Sequence, residues 1–422
     1  MNTQNVVWLT EIMSNKIKIL NNFSGNSIGD HTWKGDTLTY TLSQEPIVDV
    51  DYEMHDYNLH FIFGLRNMSS QILSINININ TAKTIPVPEI IYSSQTSNSI
   101  TQAISSAVTK VKGGYTFKVV LQPKSDSYFS NTIWNSLEYL SQQFTNIAHR
   151  HNLTIINYGT SYNGHPLRAY QLFQSRKSNL PLIYFSSGSH PAEGDTIACQ
   201  AIMEHLVNSD CYLTNKADVV IIPILNPDGF QEGNNGCNSN GINFFWDFQK
   251  DNEILCPEAH FLWELFKKNP PNLYIDFHAY SIQGSNKIFG PYIKPTILHS
   301  GSNTKHLANK LANALETIPN SKSQLMLSPS SLPFKLTREF NTITFAKYHL
   351  HQNMGVNGMK KNSILVARKI LDTISYGDLT SQILKPYGKF SRPILDSVTQ
   401  FLFMQRYYLP KKIKYLIRTI LS

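Results

Sequence analysis

Short runs of alternating apolar and polar residues fill the first 125 residues, and this alternation is the pattern of β-strands with one buried face. Four such runs recur at short spacing, over residues 37–42, 59–65, 72–79 and 115–121. Short strands at this spacing are typical of an antiparallel β-sandwich. Charged residues are sparse there and form no catalytic cluster, so we interpret residues 1–125 as an all-β accessory domain.

The pattern changes from strand to helix after residue 125. The apolar positions now recur at helical spacing, at Leu137, Leu140, Phe144 and Ile147. This periodicity predicts a linking helix within residues 126–150 that begins near residues 131–134.

From residue 151 to 379, apolar runs of strand length alternate with helical patterns. The predicted strands are 154–158, 169–173, 182–185, 219–224 and 273–277. The predicted helices are 195–208, 257–268 and 302–317. Alternation of this kind favours an α/β domain with a mixed, mostly parallel sheet that has helices on both faces.

Residues 380–422 combine basic and apolar side chains, and Asp396 is their only acidic residue. The basic residues are Lys385, Lys389, Arg392, Arg406, Lys411, Lys412, Lys414 and Arg418. A basic amphipathic tail of this kind can lie on an anionic membrane surface. It can equally pack on the protein with a solvated basic face, and the sequence leaves both interpretations open.

Composition indicates a folded protein with an ordinary core. The chain has 422 residues, of which 41% are hydrophobic and 16% charged. Its net charge of +8 favours acidic partners, and since we find no motif that combines aromatic and basic residues, we expect no nucleic-acid partner.

The amino terminus has no basic stretch followed by an apolar core, and no run of about 18 apolar residues occurs, so we expect neither a secretory signal nor a spanning helix. The four cysteines are irregularly spaced, without a Cys-x-x-Cys pair. Reduced thiols fit this spacing better than disulfides, and we expect a cytoplasmic monomer.

The first candidate for chemistry follows the predicted strand 182–185. Gly188 and Ser189 indicate a tight exit from this strand, and His190 and Glu193 come directly after it. The carboxyl ends of strands are where open α/β sheets bind ligands. An imidazole and a carboxylate three residues apart can face one ion, and this donor set suits a catalytic zinc, although such a pair is common by chance.

Three further stretches strengthen this interpretation. Residues 219–230 form a predicted strand that an Asn-Pro-Asp-Gly turn closes at 226–229. Residues 241–248 follow a loop rich in Gly and Asn, and residues 273–280 form a strand whose end presents His278.

In this order, and with the opening stretch 159–167, these motifs resemble the zinc carboxypeptidase family over about residues 150–375. The β-rich region before them is similar to the accessory domain of the cytosolic carboxypeptidase branch. The resemblance implies three zinc ligands, His190, Glu193 and His278, with water in the fourth position of one Zn²⁺ ion. It also makes Asp276 and Asn243 candidates for orienting the two histidines.

The chain departs from the family pattern at the substrate side. The family usually has Asn-Arg where this chain has Phe245-Trp246, and an arginine where it has Gly236. Phe and Trp cannot form the bidentate pair that arginine makes with a carboxylate. The sequence leaves open whether another cation replaces this charge, and the candidates are Arg168, Lys287, Arg338 and Lys347.

The general base is the second departure. The family's glutamate should lie on a strand near residues 335–347, but the predicted strand 342–347 contains no carboxylate. Glu339 is the nearest candidate for the catalytic base; alternatively it only pairs with Arg338 or a lysine. Tyr348, His349 and His351 could assist proton transfer or could lie at the surface.

The sequence therefore predicts a zinc-dependent hydrolase that cleaves a peptide or amide bond with atypical recognition of the substrate carboxylate. Its substrate would be a peptide or an acyl-amino acid, and the net charge of +8 favours an acidic one. The alternatives are a non-catalytic binding protein with the same fold, and a membrane-surface protein in which the basic tail matters most.

Overall fold

The described strands that precede residue 137 form two five-stranded sheets and one two-stranded sheet. The computed structural model describes residues 13–42, 60–80, 87–172, 180–208, 216–248, 256–280, 292–294, 297–299, 302–316, 321–324 and 331–374. In chain order the strands are β1 (Ile17–Leu20), β2 (Ile28–Lys34), β3 (Thr37–Leu42), β4 (Ile62–Asn67), β5 (Leu73–Asn80), β6 (Tyr92–Ser94), β7 (Ser99–Ile100), β8 (Gln102–Ala103), β9 (Thr109–Val111), β10 (Gly114–Leu121), β11 (Asp126–Ser130) and β12 (Trp134–Asn135). One sheet has the order β1-β4-β11-β6-β8, the other has the order β2-β3-β5-β10-β9, and β12 pairs with β7.

The two sheets share one apolar core, as a sandwich requires. In β5 the isoleucines at 75, 77 and 79 are buried, whereas the alternating polar residues face outward. Phe63 of the first sheet and Phe117 of the second lie in the same cluster. The prediction of an all-β sandwich is therefore confirmed. One detail differs, because β3 and β5 are parallel: β4, which lies between them in sequence, belongs to the other sheet.

The linking region is only partly helical. Residues 126–130 form β11 of the sandwich, and helix α1 (Leu137–Arg150) begins after Ser136, whose side chain accepts from Tyr139 N. The predicted start near residues 131–134 is wrong because β12 pairs with β7 just before this cap. The predicted helical face is buried, but in the core of the α/β region, so α1 is part of that region.

After α1 come the strands and helices of the α/β region. The strands are β13 (Thr154–Thr160), β14 (Pro166–Gln171), β15 (Leu182–Ser186), β16 (Asp218–Ile222), β17 (Leu273–Tyr280), β18 (Tyr292–Lys294), β19 (Ile297–Leu298), β20 (Ser321–Gln324) and β21 (Ile343–His351). The helices are α2 (Thr196–Asn208), α3 (Pro227–Glu232), α4 (Pro257–Lys268), α5 (Ser302–Glu316), α6 (Leu332–Phe340) and α7 (Gly355–Thr373). These bounds agree closely with the elements that were predicted, whereas β18, β19, β20, α3, α6 and α7 were not predicted.

The main sheet has the order β13-β14-β16-β15-β17-β21-β19. Its central strands β16, β15, β17 and β21 are parallel, and the flanking strands are antiparallel. Alternate residues of β15 face opposite sides: Ile183 and Phe185 pack with α1, α2, α5 and α7, whereas Tyr184 packs with α4 and α6. The prediction of a mixed sheet with helices on both faces is confirmed.

Two further expectations concern the cysteines and the membrane. The three described cysteines, Cys199, Cys237 and Cys256, are buried thiols. Among the described helices, none has both the length and the apolar character that crossing a bilayer requires. The basic tail at 380–422 lies outside the described residues.

Candidate metal centre

His190, Glu193 and His278 meet at the carboxyl edge of the central parallel strands. β15 and β17 are neighbours, with Ser186 opposite Asp276, so the residues that follow Ser186 reach the level of His278. Gly188 makes the exit turn with a φ of +70°, a conformation that favours glycine. One ligating atom from each of the three residues lies within 4.8 Å of the others.

The carboxylate of Glu193 lies between the two imidazoles. Its Oε1 is 2.9 Å from His190 Nδ1, and its Oε2 is 2.8 Å from His278 Nδ1. The backbone N–H of Ala279 donates to Oε2 (3.1 Å) and holds the carboxylate in this orientation. The three donors therefore converge on one point.

The far nitrogen of each imidazole has its own partner. Asp276 Oδ2 lies 3.1 Å from His278 Nε2, and Asn243 Oδ1 lies 3.4 Å from His190 Nε2. Asp276 is held in turn by the Ser186 hydroxyl (2.9 Å), and Asn243 by Phe245 N (3.0 Å). The sequence singled out Asp276 and Asn243 for these positions. A proton kept on Nε2 leaves Nδ1 as the ligating atom.

Electrostatics favour an ionised Glu193 between the histidines. Burial opposes ionisation, but the charges of His278 and His190 and their hydrogen bonds outweigh it and hold the pKa of Glu193 well below its usual range. A metal cation would replace protons on these nitrogens, so metal binding should release protons.

The donor set fits a zinc ion of the catalytic type. Two imidazole nitrogens and one carboxylate, without a thiolate, are a known catalytic zinc set that leaves a position for water. Calcium and magnesium sites, by contrast, use oxygen ligands. The observed convergence of the donors, with each histidine oriented from behind, is consistent with this assignment.

Apolar side chains occupy the neighbouring part of the edge. The ring of Phe245 is buried and lies 5.3 Å from the His278 ring, edge to face, and 6.0 Å from the His190 ring. Gly236 is also buried. At these two positions, where the resemblance leads one to expect an asparagine and an arginine, the side chains are a phenyl ring and a hydrogen atom, which supply neither an amide nor a cation.

The structure does not bring Glu339 to this cluster. Glu339 lies in the last turn of α6, its side chain is 38% exposed, and its Oε1 pairs with Arg338 (3.2 Å) and Lys335 (3.9 Å). α6 leads into the amino end of β21, whereas His349, which pairs with His278, is six residues further along that strand. At about 3.3 Å per residue, this separates Glu339 from the cluster by roughly 20 Å. The geometry therefore favours the simple ion pair over the role of base.

The other candidate cations are dispersed. Arg168 lines a separate cavity of about 230 Å³ between α1, β14 and the loop after β16. Arg338 pairs with Glu339 on α6. Lys347 lies at the irregularity of β21 between Phe345 and Tyr348, and Lys287 lies outside the described residues.

His349 and His351 lie inside the protein, so the surface interpretation is wrong. Both are at most 1% exposed, and the ring of His349 is 5.5 Å from the His278 ring. They are buried because β21 is an inner strand, next to β17, and continues to His351. His349 is therefore a neighbour of a candidate ligand.

The Asn-Pro-Asp-Gly stretch has a different local structure from the one predicted. It begins helix α3: Asn226 caps the helix and accepts from Gly229 N (3.0 Å), and Pro227 is the first helical residue. The carboxylate of Asp228 contacts the Ser161 hydroxyl and accepts from Asn163 N (2.9 Å). The stretch therefore anchors the loop 159–167, another of the motifs that carried the resemblance.

Two buried polar residues next to the cluster escaped sequence reasoning. Asp195 accepts from Gly188 N (3.0 Å) and so stabilises the exit turn; burial and the charge of Glu193 raise its pKa well above the usual range. Gln352 donates to the carbonyl of Glu193 (2.8 Å). Asp195 could have been suspected from its place two residues after Glu193, whereas nothing in the local sequence marks Gln352.

Comparisons with known proteins agree with this geometry. The family profile described as "Zinc carboxypeptidase" matches residues 137–328. Cytosolic carboxypeptidase 1 of Xenopus laevis is 26% identical over 156 residues, which is 35% of this chain and 13% of that relative. The chain thus matches only a small part of the relative's length.

Two solved structures share the fold across both domains. A metallo-carboxypeptidase from Burkholderia cenocepacia has a TM-score of 0.69 at 12% identity and covers 85% of this chain and 99% of its own. A metallo-carboxypeptidase from Pseudomonas aeruginosa has a TM-score of 0.67 at 14% identity and covers 86% of this chain and 100% of its own. The family profile thus matches less than half of the chain, and the solved structures show that the chain has the fold of metallocarboxypeptidases.

Proposed function

We propose that the chain is a zinc-dependent, metallocarboxypeptidase-like hydrolase that cleaves a peptide or amide bond. In this proposal His190, Glu193 and His278 bind one Zn²⁺ ion. The observation that carries the proposal is the convergence of three donor atoms within 4.8 Å at the carboxyl edge of the sheet. The match to the family profile supports the hydrolase class.

The chain's own residues prepare this centre. Asp276 and Asn243 retain a proton on Nε2 of each histidine, so that both Nδ1 atoms face the ion. Ala279 N directs the Glu193 carboxylate to the same point. A zinc ion bound there supplies Lewis acidity and lowers the pKa of a bound water towards about 7.

Recognition of the substrate end would differ from the family pattern. The side chain of Phe245 cannot donate hydrogen bonds, so a free carboxylate gains no bidentate partner from this position. The Pseudomonas structure contains (2-guanidinoethylmercapto)succinic acid, a ligand with two carboxyl groups. For this chain we propose a peptide or acyl-amino-acid substrate whose end is not held by a bidentate cation at this position; the net charge of +8 would favour acidic residues in the substrate.

The second candidate is a zinc-binding protein without turnover. It is favoured by the burial of Phe245 against both histidine rings and by the roughly 20 Å that separate Glu339 from the cluster. A family relative that lost its substrate contacts but kept its metal would have this combination.

Metal content and hydrolysis measured on the same preparations test the proposal and separate the two candidates. The variant is His190→Ala with Glu193→Ala, and the matched control is His260→Ala with Glu264→Ala on the outer face of α4. We expect one zinc per chain in the unmodified protein and the control, and none in the variant. A screen of N-acyl-amino acids and short peptides follows.

Each outcome has a distinct meaning. Zinc-dependent hydrolysis that the double variant lacks would support the hydrolase. Stoichiometric zinc without turnover of any substrate would favour the non-catalytic protein. An unmodified protein that binds no zinc, even when zinc is supplied, would overturn both.

Localisation, oligomeric state and the basic tail remain proposals. We propose a cytoplasmic monomer, in line with the name of the cytosolic carboxypeptidase relatives. We also propose that any contact with anionic membranes depends on residues 380–422. Deletion of this tail should then abolish flotation with anionic liposomes and leave the zinc content unchanged.

A further inference from the structure

The turn that carries Glu193 is held from the side of the β-sandwich. Gln352 follows β21 directly, is 0% exposed, and donates from Nε2 to the backbone carbonyl of Glu193 (2.8 Å). The carbonyl belongs to the residue whose carboxylate lies between the two histidines. Gln352 therefore constrains the main chain of a candidate ligand without touching the metal position.

The remaining contacts of Gln352 lead to the sandwich. Its Oε1 accepts from Ile133 N (2.6 Å), and its carbonyl accepts from the Tyr92 hydroxyl (3.0 Å). Tyr92 belongs to β6 of the sandwich, and Ile133 belongs to residues 131–135, which we call the junction segment. One buried side chain thus connects both parts of the molecule to Glu193.

The junction segment is itself fixed on the sandwich. Asn131 Oδ1 accepts from Phe61 N (3.0 Å) and lies 3.2 Å from His60 Nδ1. The Trp134 ring stacks on His60 at 5.2 Å and lies 5.5 Å from Phe230 of α3. These residues are buried, and so the position of Ile133 is set by the sandwich as much as by the α/β region.

A second contact brings the junction segment against the ligand turn. Gly194 follows Glu193 with a φ of +63°, and a Cβ at this position would lie 2.5 Å from the carbonyl oxygen of Ile133. This approach is possible only because residue 194 has no side chain. The turn is therefore held on one side by Gln352 and limited on the other by the backbone of Ile133.

We infer that Gln352 is a positioning residue for Glu193, and that the β-sandwich, through its contacts with Gln352, helps to position this ligand of the metal centre. The inference rests on the proposed function, because it requires that Glu193 binds the metal. If the Gln352 amide is lost, the partly buried carbonyl of Glu193 and the buried N–H of Ile133 both lose their partner. The turn can then relieve this by rotating, and the carboxylate leaves the point on which the histidines converge.

The test uses full-length protein and four variants. Gln352→Met removes both side-chain hydrogen bonds at similar volume. Tyr92→Phe removes only the hydroxyl that holds the Gln352 carbonyl. The controls are Gln200→Met, the same change in α2 where Gln200 bonds Glu204, and Tyr40→Phe, the same change in the sandwich core away from Gln352.

Zinc affinity by chelator competition and the visible spectrum of the Co²⁺-substituted protein are the readouts. We expect Gln352→Met to weaken zinc binding about 10- to 100-fold, as loss of a group that orients a ligand does. Tyr92→Phe should weaken it about 2- to 10-fold, as for one hydrogen bond. Both should shift the Co²⁺ bands, because the carboxylate geometry changes, whereas a general loss of stability would not shift the bands of the folded fraction.

A folded Gln352→Met variant with unchanged zinc affinity and Co²⁺ spectrum would overturn the inference. If Gln352→Met does not fold, a Tyr92→Phe variant indistinguishable from Tyr40→Phe would overturn it. Failure of the unmodified protein to bind zinc would instead refute the proposed function, so the two failures are distinguishable.

Discussion

Two adjacent parts of one sheet edge differ in character. Around His190, Glu193 and His278 every candidate ligand has a polar partner: Asp276 and Asn243 for the histidines, Ala279 N for the carboxylate. Around Phe245, 5.3 Å from the His278 ring, the contacts are between rings. We call these the ligand half and the apolar half of the centre.

Under the proposed function, metal binding and recognition of the substrate end would therefore depend on separate side chains. Asn243 orients His190, yet Phe245, two residues later, faces the same centre with an apolar ring. A chain can therefore change one property and keep the other. Substitutions in the ligand half should alter metal affinity, and substitutions in the apolar half should alter stability.

The largest expected effect comes from the apolar half. Phe245→Ala should lower the free energy of unfolding by about 3–5 kcal/mol, because it leaves a cavity where a fully buried ring was. Its zinc affinity should change less than about tenfold, since Phe245 supplies no ligand and no orienting side chain. Urea denaturation and chelator competition measure the two quantities.

Phe244→Ala is the matched control, because Phe244 is equally buried but packs in the core on the α4 side. A Phe245→Ala variant that keeps its stability and loses zinc would contradict the division into two halves.

The next effect concerns the junction segment that supports the ligand half. Burial lowers the pKa of His60 to about 3, although the hydrogen bond with Asn131 raises the pKa and offsets part of this effect. Between pH 6.5 and 3 the unfolded chain therefore binds a proton at residue 60 that the folded chain does not. The free energy of unfolding is consequently not reduced by His60 above pH 6.5, and it decreases as the pH falls through this range. From pH 7 to 4.5 this costs about 2–3 kcal/mol. Urea denaturation at several pH values measures it.

His60→Gln should make the dependence of stability on pH less steep in this window. His149→Gln, at an exposed histidine of α1, should leave it unchanged. Equal slopes in all three proteins would show that His60 is not buried in its neutral form.

Asp276→Asn tests the ligand half at similar volume. An amide oxygen is a weaker acceptor than a carboxylate for His278 Nε2, so zinc affinity should fall about 10- to 100-fold while the fold is retained. Isothermal titration or chelator competition measures the change. Asp218→Asn, at the amino end of β16 and so on the opposite edge of the sheet, should bind zinc normally, and an equal loss in both variants would refute a specific orienting role.

The smallest expected effect is that of Glu339→Gln. Its ion pairs with Arg338 and Lys335 are partly exposed, so the stability should change by no more than about 1 kcal/mol. Zinc affinity and any turnover should not change, because Glu339 lies in α6 before the amino end of β21, whereas the candidate ligands lie near the carboxyl end of the sheet. Loss of turnover with normal zinc binding would restore Glu339 as the general base and contradict the described geometry.

The fold was largely predictable from local patterns. Strand β5 shows why: its isoleucines and polar residues alternate without exception, so one register buries all the apolar side chains. The start of α1 was missed because Ile133 and Trp134 fit a helical repeat. Only the structure shows that Trp134 lies in β12, which pairs with β7, so the helix cannot begin before it.

Two of the candidate ligands were predicted for a related reason. His190 and Glu193 come directly after a strand, and the carboxyl ends of strands are where such sheets bind ligands. His278, near the end of another strand, was implied as a ligand by the family resemblance. Glu339 illustrates the limit: it precedes β21 and so lies near the amino end of that strand, whereas the candidate ligands lie near the carboxyl end, and this became clear only once the bounds and register of β21 were known.

The sequence by itself determined the strand and helix periodicities, the order of the motifs and the residue types that can bind zinc, because these depend on neighbours along the chain. Only the tertiary structure decided which groups orient the candidate zinc ligands. Gln352 lies 159 residues from Glu193 and 219 residues from Ile133, and it holds both by single hydrogen bonds. Such contacts leave no periodic pattern in the sequence, because they arise where the main chains of two distant segments come together and need hydrogen-bond partners.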